Sequence, residues 1–188
     1  MELDDMETSL TTADPVEFTV IERYIGHTYQ GLKHGKGIWI SDDGDELQEG
    51  FFQNDKLRQG RQIMDDGSYY QGNFNAEGQY EGLGVYHWSD GDKYEGEWLA
   101  GNCHGQGVKT YTEQEMRYIG SFANDQREGK GKIVWENGNR FEGAFKEDKI
   151  EGSGTYFWAD GDMFKGTWVA GKEEGVGKLY QKGGKVIS

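Results

Sequence analysis

Apolar and polar residues alternate through most of this 188-residue chain, and the alternation returns at a fixed interval. Residues 94 to 107 show the unit. Tyr94, Gly96 and Trp98 stand at every second position, and Gly101, Gly105 and Gly107 follow. The same order returns at Tyr70-Gly72-Phe74, Tyr118-Gly120-Phe122, Phe141-Gly143-Phe145 and Phe164-Gly166-Trp168. A weaker copy starts at Leu47 with Phe51, and a degenerate one at Tyr24-Gly26. Lead positions 24, 47, 70, 94, 118, 141 and 164 are 23 or 24 residues apart. Such a period marks a repeat architecture. Within each repeat an alternating segment follows the lead aromatic and another follows the Gly-x-Gly pair, so each repeat holds two short strands. The pattern predicts an all-β chain of about seven stacked β-hairpin repeats.

Turn chemistry separates the repeats. Asp43-Gly44, Asp66-Gly67, Asp90-Gly91, Asn137-Gly138 and Asp160-Gly161 lie between alternating segments, as does Gly183-Gly184. Asp-Gly and Asn-Gly favour two-residue hairpin turns, because both central residues need positive φ. Glu113-Gln114-Glu115 lacks the signal and predicts a bulged or wider loop, and Glu77-Gly78 lengthens a repeat at the other side of the sheet. Glu49 occupies the glycine slot of the second repeat when counted from Leu47.

A two-residue turn fixes the register outward from itself. Around Asp160-Gly161 it would set Trp158 opposite Met163 and Phe157 opposite Phe164. Ile40, Ile63, His87, Val134 and Phe157 would then share the face of the lead aromatics. The opposite face would carry Ser41, Met64, Trp88, Trp135 and Trp158 in one column and Trp39, Gln62, Tyr86, Ile133 and Tyr156 beside it. Both faces would be apolar, unlike a sheet with one solvated face. That second aromatic column either fills a curled interior or stays exposed as a binding surface. Trp39, Met64, Tyr86, Trp88, Trp135, Tyr156 and Trp158 are therefore the candidate protein-binding residues, since Trp and Tyr are favoured interface anchors.

Charge narrows the function classes. Thirty-four acidic residues against 20 basic ones give a net charge of -14. Such a balance argues against nucleic acid or anionic lipid as the main partner. Residues 1–15 carry five acids and no Lys or Arg, which predicts a flexible acidic tail. Residues 16–23 alternate as a strand that would cap the first repeat, and 24–188 form the repeat array. The C-terminal stretch from Phe164 holds five lysines and two glutamates, so it is +3 and the rest -17. Lys172, Lys178, Lys182 and Lys185 are the residues on which a lipid-binding alternative would rest. One cysteine, Cys103, permits no internal disulfide and fits a reducing compartment. No signal peptide and no membrane-length apolar run are visible.

Candidate chemistry is sparse. His34 and His104 fill the same slot of the repeat, Cys103-His104 has no second cysteine for zinc, and Gly35-Lys36-Gly37 and Gly129-Lys130-Gly131 lack phosphate-loop spacing. No enzyme activity, cofactor or metal is expected. The carboxylates in turns read as solvated acids.

The chain resembles the MORN (membrane occupation and recognition nexus) repeat family. The resemblance is carried by YEGEW and HGQG from Tyr94, YQGNF from Tyr70, YIGSF from Tyr118, FEGAF from Phe141 and FKGTW from Phe164. It implies an elongated, single-layer antiparallel sheet and a non-enzymatic scaffold that binds protein partners, in the cytoplasm within a cytoskeletal or ciliary assembly. A membrane-proximal adaptor touching phosphoinositides and a regulatory subunit that positions an enzyme are the alternatives.

Overall fold

A computed structural model describes residues 16–21, 23–173 and 177–186. The predicted tail, 1–15, lies outside the described residues. The described chain forms one open antiparallel sheet. Its strands are β1 (Glu17–Ile21), β2 (Tyr24–Tyr29), β3 (Leu32–Ile40), β4 (Glu46–Gln53), β5 (Lys56–Met64) and β6 (Tyr69–Phe74). They continue as β7 (Tyr80–His87), β8 (Lys93–Leu99), β9 (Asn102–Tyr111), β10 (Met116–Ala123) and β11 (Gln126–Trp135). The last are β12 (Arg140–Lys146), β13 (Lys149–Phe157), β14 (Met163–Val169), β15 (Lys172–Glu173) and β16 (Lys178–Tyr180). Neighbours in sequence are neighbours in the sheet from β1 to β15, and β16 also pairs with β14. Local hairpins alone therefore build the fold.

Two kinds of turn alternate. Inside a repeat the turn is two residues long with positive φ at both, as at Asn54-Asp55 (48° and 66°) and Ala100-Gly101 (49° and 86°). The insertion at Glu77-Gly78 makes one of these a three-residue loop, closed by Asn75 N–H to the Gln79 carbonyl (2.9 Å). Between repeats most loops have three residues, while the first, 42–45 between Ser41 and Glu46, has four. Asp65, Asp66 and Gly67 lie between Met64 and Ser68, and Gly67 N–H donates to the Met64 carbonyl (3.1 Å). Gly67 alone takes positive φ (84°), the pattern of a type I turn closed by a glycine bulge. The loop without Gly spans 112–115 between the paired Tyr111 and Met116, and Glu115 supplies the left-handed residue (48°).

The three-residue loop overturns the register expected from a two-residue Asp-Gly turn. Tyr156, not Phe157, pairs with Phe164, and Tyr86 pairs with Tyr94. A one-residue slip moves a whole strand's side chains to the other face. Gln62, Tyr86, Ile133 and Tyr156 therefore share the face of the lead aromatics, and Trp39 joins them through its pairing with Tyr24 and Gln48, the register at Asp43-Gly44 being the expected one. Ile40, Ile63, His87, Val134 and Phe157 lie on the other. The second repeat is also reframed. Gly50 pairs with Gly37 and Gly60, so the lead is Gln48, and Phe52 is the buried ring. Glu49 does not fill the glycine slot; it lies on the opposite face and pairs with Arg61 (2.9 Å).

Packing explains the repeat grammar. Tyr24, Tyr70, Tyr94, Tyr118 and Phe141 are essentially fully buried. Each lies flat across two facing glycines, its own and that of the next strand. A Cβ on Gly96 would sit 2.6 Å from Tyr94 Oη and 2.6 Å from Gly107 Cα. A β-bulge beside the glycine frees a carbonyl, and the phenol takes it. Tyr24 Oη donates to the His27 carbonyl (2.7 Å), Tyr70 to Asn73 (3.0 Å), Tyr94 to Glu97 (2.9 Å) and Tyr118 to Ser121 (3.0 Å). The ring four residues on stands edge-to-face between two leads. Trp98 meets Tyr70 (5.3 Å) and Tyr94 (5.1 Å), and Phe145 meets Tyr118 (4.9 Å) and Phe141 (5.6 Å). Such pairs add roughly 0.5–1.5 kcal/mol each beyond burial.

Gly107→Ala should therefore lower stability by about 1–3 kcal/mol, because the methyl meets the Tyr94 ring. Gly31 lies in an open turn with nothing near its Cβ position, so Gly31→Asn should stay within about 1 kcal/mol of the parent. Urea midpoints compare them. Equal midpoints for all three proteins would refute the packing role of the glycine pair.

Candidate protein-binding surfaces

The sheet has two unlike faces. The aromatic face carries the buried core. Trp39, Tyr86, Trp88, Trp135 and Tyr156 of the expected strip pack against that core and are half-buried. Met64 and Trp158 are half-buried too, and Trp158 stands edge-on to Tyr156 (5.0 Å). The structure thus sets Tyr86 with Trp88 (4.5 Å) and Trp135 with Tyr156 (5.6 Å) as two groups on one face, beside Trp98 and Trp168 and not behind them. Cations of the chain cover parts of it. Lys109 Nζ lies 4.6 Å from the Trp88 ring, and Lys33 Nζ lies 4.5 Å from Trp39. Burial lowers the Lys33 pKa. Burial also pushes Tyr111 and Tyr118 up to about 12, as expected for phenols in an apolar layer.

The other face has backbone where the glycines stand, with a row of side chains on either side. One row runs Ile25, Ile38, Glu49, Arg61, Gln71 and Val85, strand by strand. Three depressions follow this glycine track, of about 780, 760 and 700 Å³. The first is lined by Phe18, Ile25, Ile38 and Phe51, and the third by Lys130, Lys132, Glu142 and Lys165 among others. Sequence reasoning missed this surface because it placed Glu49, Phe51, Arg61 and Lys132 on the other side.

Turn acids form a second feature that was missed. They join successive repeats instead of standing free in water. Along one edge Thr112 N–H donates to Asp92 Oδ1 (2.8 Å), Ala159 N–H to Asn139 Oδ1 (2.9 Å) and Lys182 N–H to Asp162 Oδ1 (2.8 Å). Along the other, Lys33, Cys103 and Arg127 N–H groups donate to Asp55, Asp125 and Asp148 (2.8, 2.8 and 3.0 Å). The signal was an Asp or Asn at a fixed place in each turn.

Chemistry remains thin. Among the described residues no group of three or more His, Cys, Asp or Glu could hold a metal. Cys103 is buried, and burial, then the nearby Asp125, pushes its thiol up to about 12. The four lysines of the lipid alternative do not converge. Lys172 follows the turn at one edge, and Lys182 and Lys185 flank the turn at the other, so β14, about 20 Å of strand, separates them. Lys178 faces the glycine track beside Lys165. No helix in the described residues is long and apolar enough to cross a membrane.

A family profile for the MORN repeat matches residues 24–46, 70–93, 94–115, 118–140, 141–163 and 164–185. The chain belongs to the MORN repeat family. The profile passes over 47–69, the MORN repeat whose lead is Gln48 and not an aromatic. A comparison with curated proteins found no match. Among solved structures the chain is similar to the TCP domain of Drosophila melanogaster SAS-4 (dCPAP), solved with a proline-rich motif of Ana2 (dSTIL). The TM-score is 0.46 at 11% identity, over 80% of this chain and 75% of that one. The TCP10c domain of Drosophila melanogaster Sas-4 gives 0.33 at 12% identity, over 81% and 96%. A mutant TCP10 domain of Danio rerio CPAP gives 0.30 at 17% identity, over 82% and 93%. Likenesses this distant say nothing of this MORN protein's partners.

The turn acids give a pH dependence. Asp66 accepts the Ser68 N–H (2.8 Å) and hydroxyl (2.9 Å), and these bonds hold its carboxyl below the usual range. A depressed folded pKa adds stability above the unfolded pKa of about 3.9 and loses it as pH falls through the folded value. Asp66→Asn should therefore lose less stability than the parent as pH falls from about 5 toward about 2. Parallel acid declines in urea-midpoint series would show that Asp66 plays no such part.

Proposed function

We propose that this MORN protein is a non-enzymatic scaffold that holds a partner protein along the glycine face. The observation that carries this reading is the exposed apolar cluster at its N-terminal end. Phe18 (66% exposed), Ile25 (52%), Ile38 (44%) and Phe51 (51%) line one groove. Scattered exposed apolar residues are ordinary, but a contiguous set in a depression marks an interaction site. The glycine track gives that groove a backbone floor, and β1 forms its outer wall through Phe18. A place in a cytoplasmic cytoskeletal or ciliary assembly rests on the family resemblance alone. A regulatory subunit that positions an enzyme would use the same surface.

The half-buried strip of Trp88, Trp135 and Trp158 supports a second reading, since these rings keep part of their area in contact with water. The two are separable. Phe51→Glu places a charge beside Lys36 on a half-exposed position, so the fold should survive. It should weaken partner capture by about 2 kcal/mol or more, the usual effect of losing an interface anchor. Trp135→Ala should keep full binding and lower stability, because Trp135 packs on the core. Isothermal titration with a captured partner, beside urea midpoints, decides. Full binding by Phe51→Glu with lost binding by Trp135→Ala would move the site to the aromatic face.

A further inference from the structure

The glycine face changes character along its length. From β2 to β9 its rows hold Lys36, Arg61 and Lys93 against Glu49, Glu95 and Glu97, and two of these pairs are bonded. Arg61 meets Glu49 and Lys93 meets Glu95, each at 2.9 Å. From β10 onward the balance breaks. Ile119, Lys132, Glu142, Thr155, Lys165 and Lys178 form one continuous row. Lys130 stands in the next row on one side, and Arg117 and Arg140 on the other. Six cations thus stand about Glu142, while Glu128 and Glu151, farther out on the same face, each accept a backbone N–H of the next turn, from Glu147 (3.1 Å) and Ala170 (2.9 Å). Glu142 already holds both Lys132 (3.2 Å) and Arg140 (3.3 Å). Among the described residues no carboxylate lies within ion-pair distance of Arg117, Lys130, Lys165 or Lys178.

Four unpaired cations on one track are unexpected in a protein of net charge -14. Like charges on adjacent strands repel, and Lys165 stands directly opposite Lys178. A bound anion would relieve that repulsion. We propose that this half of the glycine face seats an extended acidic segment of the partner protein. The inference rests on the reading of the glycine face as the docking surface, and it adds the partner's chemistry.

Charge at the rims favours a peptide over an anionic membrane. Glu113, Glu115 and Glu136 stand exposed at one rim, and at the other Asp125, Glu147 and Asp148 stand beside exposed Lys146 and Lys149. A flat anionic surface would press on both rims, while a single strand would touch only the track between them. The spacing also fits a chain. Lys132 on β11 and Lys165 on β14 are three strand steps apart, about 14 Å, which about four extended residues span. An even count keeps two acids on the same side of the peptide. The seat therefore matches acids at about i and i+4, with Ser153 and Thr155 in the same depression offering hydroxyls.

Fluorescence anisotropy with the full chain tests this. The probe is a fluorescein-labelled Gly/Ser peptide carrying glutamates at every fourth position, and its lysine twin is the control. The glutamate probe should bind and the lysine twin should not. Lys130→Glu/Lys165→Glu should weaken binding at least about tenfold, and so should raising salt from about 0.05 M to about 0.5 M. Unchanged urea midpoints confirm that the double variant is folded. No binding of the glutamate probe, or equal binding by the double variant, would overturn the proposal. So would tighter binding to phosphatidylserine and phosphoinositide vesicles than to the probe, lost in the same variant. Phe51→Glu should bind the probe as the parent does. If it does, while still capturing the partner protein, the apolar groove fails and the acidic seat stands.

Discussion

An aromatic ring laid flat across two facing glycines governs the spacing of this sheet. The ring occupies the room that two Cβ atoms would need, so the glycines and the aromatics are one feature and not two. Its phenol closes the carbonyl that the neighbouring bulge leaves open, at Tyr24, Tyr70, Tyr94 and Tyr118. Phe141 keeps the packing without that bond. The next ring, four residues on, needs a lead on each side of it, which is why the unit repeats. Where the lead is Gln48 the ladder breaks, and Gly50 and Gly60 take φ near 151° and 156°, open only to glycine. Amides replace the ring there, with Gln48 and Gln62 both donating to Glu46 (2.6 and 2.7 Å).

The repeat and its all-β class were legible because period and turn residues survive in one dimension. The faces were not, for a reason of a single residue. Asp-Gly serves two loops, one with both residues at positive φ and one with the glycine alone. The second loop is a residue longer, and that residue turns Tyr156 and Tyr86 onto the core face. The second repeat was misframed for a related reason. Its lead ring is absent, so Leu47 looked like the start when Gln48 is. The candidate residues stayed on a common face, since errors of register move a whole strand together. The glycine-face groove and its cations were illegible, because they depend on which strand faces which.

Electrostatics then divides the labour between edges and faces. Carboxylates at the turns accept backbone N–H groups from a neighbouring repeat, which ties the hairpins together at both edges. The track between them carries apolar residues at one end and unpaired cations at the other. The acids of the chain are thus concentrated at its edges, while the cations of the far half of the track exceed the carboxylates beside them.

Glycine α-proton shifts from an assigned NMR spectrum test the central claim most directly. A hydrogen held against an aromatic face is shifted strongly upfield. One α-proton of each of Gly72, Gly84, Gly96, Gly107, Gly120 and Gly131 should show that shift. Gly50 and Gly60, which lie under no ring, should not. Ordinary shifts at the Tyr94 pair, Gly96 and Gly107, would contradict the account, because the ring would then lie elsewhere and the glycines would need another explanation.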